Sequence, residues 1–385
     1  MLSINQLLTK TKGDRVIWIT VILLTLISSL AVYSSTGSLA FKYQGGNTEY
    51  YLLKHLSIFL VGIGIMYLAH LVNYKYYSRV AQLLLIISIP LLAFTLFFGV
   101  DINNAKRWLT IPIINLSFQT SDLAKLALIM YMARVLSKKQ ETIKDFKTGF
   151  LPAVIPPLII CALIAPSNLS TASILFATCI LLMFIGRVKL KYIFSMIGAG
   201  ILALALIIII ALFTPFHARV LTWQSRIDNF MNDDKGSYQV QQAKIAIANG
   251  GVIGSGPGNS KQRNFLPSPY ADFIYAIIIE EYGLVGAFII VALYLLFLQR
   301  CIKIFIKSPG AFGAFLAIGL SFALVFQALI NMAVAVNLLP VTGVTLPLIS
   351  MGGTSIWFTS ISIGIILSVS RYVEQEDQKQ HVQTA

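Results

Sequence analysis

Residues 273–298 read FIYAIIIEEYGLVGAFIIVALYLLFL. A helix needs about 20 mostly apolar residues to cross the hydrocarbon core of a bilayer, and this run is long enough. Yet Glu280 and Glu281 lie within it and Asp272 stands just before it. A charge at depth costs roughly 2.5–3.5 kcal/mol on insertion scales, so such residues face a cavity or a partner rather than lipid. The stretch therefore predicts a membrane span with a polar interior beside it.

The rest of the chain agrees. Of 385 residues, 57% are hydrophobic and only 11% are charged, with mean hydropathy +0.80. A soluble domain of this length cannot hide so much apolar surface. The alternation expected of barrel strands is missing, which leaves helices as the spanning element. Ten apolar segments are read near 16–36, 52–72, 80–99, 121–135, 150–165, 170–186, 192–213, 273–298, 311–333 and 354–370. The expected fold class is all-α, a polytopic membrane protein of about ten transmembrane helices forming one domain over residues 1–385. Lys10, Lys12 and Arg15 before the first segment give it the look of a signal peptide. Its apolar run of about 20 residues is longer than a usual signal core, so it reads as an uncleaved span.

An even number of spans puts both termini on one side. With that side inside, 17 of the 29 Lys and Arg fall in inner loops and tails and nine outside, Lys235 among them. Six of those nine lie in one long loop, where charge has little influence on orientation, so both termini are expected in the cytoplasm. The net charge of +14 then reflects topology. It comes with no aromatic-basic RNA motif and no DNA-reading helix, which argues against nucleic acid as a partner. Three cysteines and four histidines show no metal-ligand spacing. No cofactor is expected, and a divalent cation is left open without a visible ligand set.

The informative segments lie between the spans. One loop runs near 100–120. A larger one, about 214–271 between the seventh and eighth spans, carries YQVQQAKIAIA (238–248) and then GGVIGSGPGNSKQ (250–262). A third segment, NLLPVTGVTLPLISMGGTS (337–355), is rich in Pro and Gly but too apolar for a solvated loop, and reads as re-entrant. The polar tail 371–385 is expected to be mobile.

Several residues are candidates for chemistry. Asp272 could merely cap the eighth span, but a cap leaves Glu280 and Glu281 unexplained. SDLAK in the fourth span sets Asp122 and Lys125 at i and i+3, as an internal ion pair or as a lysine turned to a phosphate. Gly254, Gly256 and Gly258 could cradle phosphate through backbone N–H groups, although no Lys-Ser/Thr follows as in a nucleotide loop. Lys106, Arg107, Lys261 and Arg263 could clamp a diphosphate or simply anchor at the headgroups.

Together, NAKRWL (104–109), QTSDLAKLAL (119–128), IGSGPGNSKQ (253–262), LPSPYADFIYAIIIEEYGLVG (266–286) and LLPVTGVTLPLISMGGTS (338–355) resemble the SEDS proteins, the FtsW and RodA peptidoglycan glycosyltransferases. The resemblance spans nearly the whole chain. GNS-x-Q before the LP…DF element is more similar to the FtsW, or division, branch than to the RodA, or elongation, branch.

The resemblance implies a SEDS-type fold in a bacterial cytoplasmic membrane. It also implies polymerisation of lipid II on the outer face, with undecaprenyl diphosphate released. Asp272 would be the general base, and Glu280, Glu281 and Asp122 would tune or support the site. The diphosphate and sugar would be met by Lys106, Arg107, Lys125, Asn259, Ser260, Gln262 and Arg263, with Gly352, Gly353, Thr354 and Ser355 lining the cavity. A class B penicillin-binding protein and divisome regulators are the implied partners. The chain departs from the family pattern at Asp122, where Glu is usual, and at Asn168, where an acid is usual. Ser170 replaces a glycine, and Met351 a tyrosine. A lipid II flippase or other transporter is the rival reading, since broken segments and intramembrane charges also mark transporters.

Overall fold

The computed structural model of the protein describes residues 12–102, 105–111, 116–213, 217–231 and 237–384; Lys10, Asn104 and Lys235 lie outside them. Each of the ten apolar segments is a helix. In chain order these are α1 (Arg15–Ser35), α3 (Thr48–Leu71), α4 (Tyr74–Phe98), α5 (Thr120–Lys138), α6 (Leu151–Ile164), α7 (Leu169–Ile185), α8 (Leu190–Leu212), α11 (Ile274–Lys307), α12 (Ala311–Ala335) and α13 (Gly353–Thr384). Three further helices join them: α2 (Gly37–Gln44), α9 (His217–Met231) and α10 (Tyr238–Gly250). Eight of the ten, with the turn at Phe146–Phe150 counted as part of α6, are long and apolar enough to cross a membrane; α7 is apolar but shorter. The tenth, α5, is buried along most of its length and carries Asp122 and Lys125 inside the bundle.

Local sequence sets the ends. Asp14 caps α1 by accepting from the Val16 and Ile17 N–H groups, and Asn47, Asn73 and Asn168 do the same for α3, α4 and α7. The core runs between α5, α11, α12 and α13, which keep buried residues along most of their length, whereas α8 presents its apolar side chains outward. Those outward faces suit lipid rather than water.

Two expectations change. The segment near 100–120 is not an open loop. Val100–Ile102 (β1), Ala105–Ile111 (β2) and Leu116–Gln119 (β3) form an antiparallel sheet in the order β1-β2-β3, with Trp108 opposite Gln119 and Thr110 opposite Ser117. Alternation over so few residues is too short to stand out in a hydropathy reading. The polar tail is also not separate, because α13 continues through it to Thr384.

The re-entrant reading holds. Residues 337–352 are irregular, yet Val344, Leu346, Leu348, Ile349 and Ser350 are buried. Irregular backbone at this depth needs protein partners for its polar groups. Ser28 donates to the Ile349 carbonyl (2.7 Å), Tyr294 donates to the Pro347 carbonyl, and the Ser350 hydroxyl accepts from the Leu346 N–H (2.8 Å).

Candidate functional site

Three successive carbonyls fix the turn that leads into α11. Tyr270 O accepts from the Met351 N–H (2.8 Å), Ala271 O from the Ser350 hydroxyl (2.6 Å), and Asp272 O from Asn331 Nδ2 (2.9 Å). The next residue, Phe273, is fully buried and anchors the turn from below. The Asp272 side chain is thereby turned toward Gly343 of the re-entrant segment. A Cβ added at Gly343 would lie 3.6 Å from Asp272 Oδ2 and 4.0 Å from Arg226 Nη2, so the carboxylate and the guanidinium flank this glycine. Gly343 has φ +66°, a left-handed conformation that glycine adopts without strain.

Arg226 projects from α9, and its Nη1 donates to the Thr342 carbonyl (3.4 Å). Arg107, on β2, donates through Nε to the Ser167 carbonyl (2.8 Å). Both arginines line one cavity of about 470 Å³, together with Asn168, Ser170, Trp223 and Thr342. Neither Asp272 nor Gly343 lines the cavity; Asp272 sits behind its wall, across Gly343 from the lining residue Arg226.

Asp272 retains some exposed surface but is packed closely by protein. Burial raises its pKa above the ordinary carboxylate value, while Arg107 and Arg226 pull it back down. Burial likewise lowers the pKa of Arg226, and Asp272 opposes that shift. The result is a basic carboxylate with two cations beside an apolar-walled space. It can take up a proton, and the arginines can receive a dianionic group.

The sequence-predicted residues divide sharply. Arg107 lines the cavity. Lys106 turns to the end of α4, donating to the Phe97 carbonyl (2.7 Å). Lys125 pairs with Asp122 (2.8 Å) and donates to Gln327 Oε1 (3.1 Å). These three residues face a separate, much smaller cavity of about 40 Å³, which Ser355 also lines. The Asp122 carboxylate, shorter by one methylene than the expected Glu, still reaches its lysine. Gly352 and Gly353 open α13, and Thr354 is buried in its first turn.

The glycine loop has its N–H groups engaged by protein: those of Gly254 and Gly256 donate to the Gly250 and Glu281 carbonyls (2.8 and 3.0 Å), and the two glutamate carboxylates take those further on. Glu280 accepts from the N–H groups of Lys261 (3.2 Å) and Gln262 (3.3 Å) and from the Ser260 hydroxyl. Glu281 accepts from the Ser260 N–H (3.4 Å) and the Ser34 hydroxyl. Arg263 donates to Ser34 O (3.2 Å), and Asn259 Nδ2 to Ser255 O (3.0 Å). Ser260, Gln262 and Arg263 therefore fasten the loop to α11 and α1, Asn259 braces the loop internally, and none of the four lines the cavity of Arg107 and Arg226. Glu280 and Glu281 also do not tune Asp272: the charges acting on it are Arg107 and Arg226. Insertion cost alone required these glutamates to have partners without saying which ones.

Sequence reasoning missed Arg226, Asn331 and Gln327. Arg226 was one basic residue among six in a long loop, and nothing local distinguished it. Asn331 and Gln327 are polar residues four apart in an apolar span, a signal that was available and not used.

The family model described as a cell cycle protein, FtsW/RodA/SpoVE, matches residues 14–375. A probable peptidoglycan glycosyltransferase FtsW from Geobacter sp. (strain M18) is 34% identical over 93% of this chain and 96% of its own. Stage V sporulation protein E of Bacillus subtilis (strain 168) is 32% identical over 94% and 98%. Among solved structures, the rod shape determining protein RodA of Thermus thermophilus superposes with a TM-score of 0.67 at 22% identity, over 94% of this chain and 98% of that one. A chain from a peptidoglycan synthase complex gives 0.69 at 24%, over 94% and 99%. These structural likenesses speak for the fold.

Proposed function

The chain belongs to the FtsW/RodA/SpoVE family of cell cycle proteins, and on that premise we propose that it is a peptidoglycan glycosyltransferase that polymerises lipid II. The observation that carries this reading is the Asp272 carboxylate, raised in pKa by burial and acted on by Arg107 and Arg226, which line the 470 Å³ cavity. A base for a sugar hydroxyl and cations for a departing diphosphate are the two groups that glycosyl transfer from a lipid diphosphate needs.

In the proposed step the acceptor hydroxyl oxygen attacks the anomeric carbon of the donor sugar. The new C–O bond forms as the bond from that carbon to the diphosphate oxygen breaks, inverting the centre. The hydroxyl proton passes to Asp272, and the electron pair leaves with undecaprenyl diphosphate, whose charge Arg107 and Arg226 receive. A second, apolar groove of about 200 Å³ between α6, α7 and α8 is lined by Cys161, Phe176 and Gly200 among others, and it shares Leu169 and Ser173 with the larger cavity. That continuity suits a substrate with a polar head and a polyprenyl tail.

In this reading the site faces the outer side of a bacterial cytoplasmic membrane, both termini are cytoplasmic, and a class B penicillin-binding protein cross-links the product. Divisome regulators are the further partners if the chain serves division, for which its FtsW-named relatives speak. The test is lipid II polymerisation by the purified chain, co-expressed with its cognate transpeptidase. Asp272→Asn and Asp272→Ala are expected to lose on the order of 10²–10⁴-fold in rate with folding intact. Glycan strands formed equally by all three proteins would remove Asp272 from the chemistry, and movement of lipid II across vesicles without any strands would favour a flippase.

A further inference from the structure

Asn331 and Gln327 lie one helical turn apart on α12, and both side chains are buried, Asn331 at 1% and Gln327 at 8% exposure. Each amide donates to the re-entrant segment and also bonds a second partner. Asn331 Nδ2 donates to the Val344 carbonyl (2.7 Å) and to the Asp272 carbonyl (2.9 Å), using both of its protons. Gln327 Nε2 donates to the Thr345 carbonyl (2.9 Å), while its Oε1 accepts from Lys125, which is paired in turn with Asp122. A chain of polar contacts thus runs from α5 through α12 to residues 344–345, and one member of it also holds the backbone of Asp272.

We propose that Asn331 and Gln327 are positioning residues for the reaction. They hold the re-entrant segment, and through it the Asp272 carboxylate, in register with Arg226. This inference rests on the reading of Asp272 as base. Gly343, which separates the carboxylate from Arg226, immediately precedes the two held carbonyls. Leu348, a few residues on, has φ +62°, a conformation that a branched side chain adopts only where its surroundings impose it. The segment has no helix or strand ladder of its own, so beyond the internal turn at Leu346–Ser350 its shape is set by donors from its neighbours. Among the described residues, Asn331 is the one neighbouring side chain that bonds both the segment and the base-bearing turn. In the same way Lys125 acts on the site through Gln327 rather than by touching a diphosphate.

The isosteric variants Asn331→Asp and Gln327→Glu keep size and remove the donors. Gln327→Glu also keeps an acceptor for Lys125, whose charge faces the added carboxylate, and loses the donor to Thr345. The full chain in lipid nanodiscs, with its transpeptidase, is compared with both variants and with Asp272→Asn, by amide hydrogen exchange over 338–352 and by polymerisation kinetics. For Asn331→Asp, exchange in that segment is expected to rise about tenfold or more while the other spans are unchanged. Its kcat should fall about 100-fold, as a small misplacement of a reacting group allows, with KM for lipid II within about threefold. The acid limb of its kcat profile should also move, because the carboxylate changes its place relative to Arg226.

Unchanged exchange would overturn the clamp. Raised exchange with near-normal kcat, or a loss confined to KM, would overturn the positioning role. If Asp272→Asn polymerises like wild type, the base reading fails instead, while the exchange result still decides whether Asn331 holds the segment.

Discussion

A carboxylate that takes a proton from a sugar hydroxyl must be ionised at working pH and still basic enough to accept it. Two opposed influences act on Asp272: burial raises its pKa, and Arg107 and Arg226 restrain the rise. In the proposed reaction the working form is the anion, so activity should fall as pH drops through the folded-state pKa. That acid limb should lie above the range of an ordinary Asp. Arg226→Gln removes a restraining charge, so its limb should move further toward neutral pH, and Arg226→Lys should restore part of the difference. A kcat profile across pH for the three proteins measures this, and a shift toward acid would exclude Arg226 as the restraining charge. Asp272 itself was legible in the sequence, as an acid at the mouth of a span. Arg226 was not, since its role depends on α9 folding back over a segment more than a hundred residues away in the chain.

At the scale of elements, α11 shows how the buried glutamates are accommodated. The helix is broken at Gly283, whose φ of +66° lies outside helical space. There the Ser255 and Gly256 N–H groups reach the Glu280 and Glu281 carbonyls (2.9 and 3.0 Å), and the Leu284 N–H reaches the Gly251 carbonyl (3.0 Å). Such close backbone contact leaves no room for a Cβ: one at Gly283 would collide with the Val252 carbonyl, and one at Gly254 with the Glu281 carbonyl. Gly283→Ala is therefore expected to cost about 2–4 kcal/mol through strain and displacement combined. Gly258→Ala, also at positive φ (+76°) but with open space around it, should cost only about 1 kcal/mol. Thermal unfolding in detergent compares them, and equal losses would contradict the close-packing account. The sequence showed the glycines and the acids as two separate puzzles. Each turned out to be the other's partner.

Across the whole molecule, the end of α11 far from the site is closed by a different device. Asp14 pairs with Arg300 through Nη2 (2.6 Å) and Nε (2.7 Å), and its own N–H donates to Ser370 (2.9 Å). The start of α1 is thereby tied to α11 and α13. Asp14→Ala removes an ion pair and a helix cap together, and should lower stability by about 1–3 kcal/mol, the partial exposure of Arg300 weakening the pair. Because Arg300 lies near the opposite end of α11 from Asp272, polymerisation measured well below the unfolding temperature should be unchanged. A large loss of rate in a folded Asp14→Ala protein would mean that the two ends are coupled.

By itself the sequence determined the membrane class, the ten helical segments and the irregular buried stretch, and it singled out Asp272 as a candidate. Each of these follows from a local rule: apolar length sets a span, and a charge in or beside a span needs a reason. The tertiary structure alone decided which polar groups meet. It gave Arg226 and Gly343 to Asp272, the glycine loop to Glu280 and Glu281, and Gln327 to Lys125. Inside a bilayer, backbone donors and acceptors and buried charges need partners within the protein. The partner is chosen by where distant helices cross, which no local pattern records.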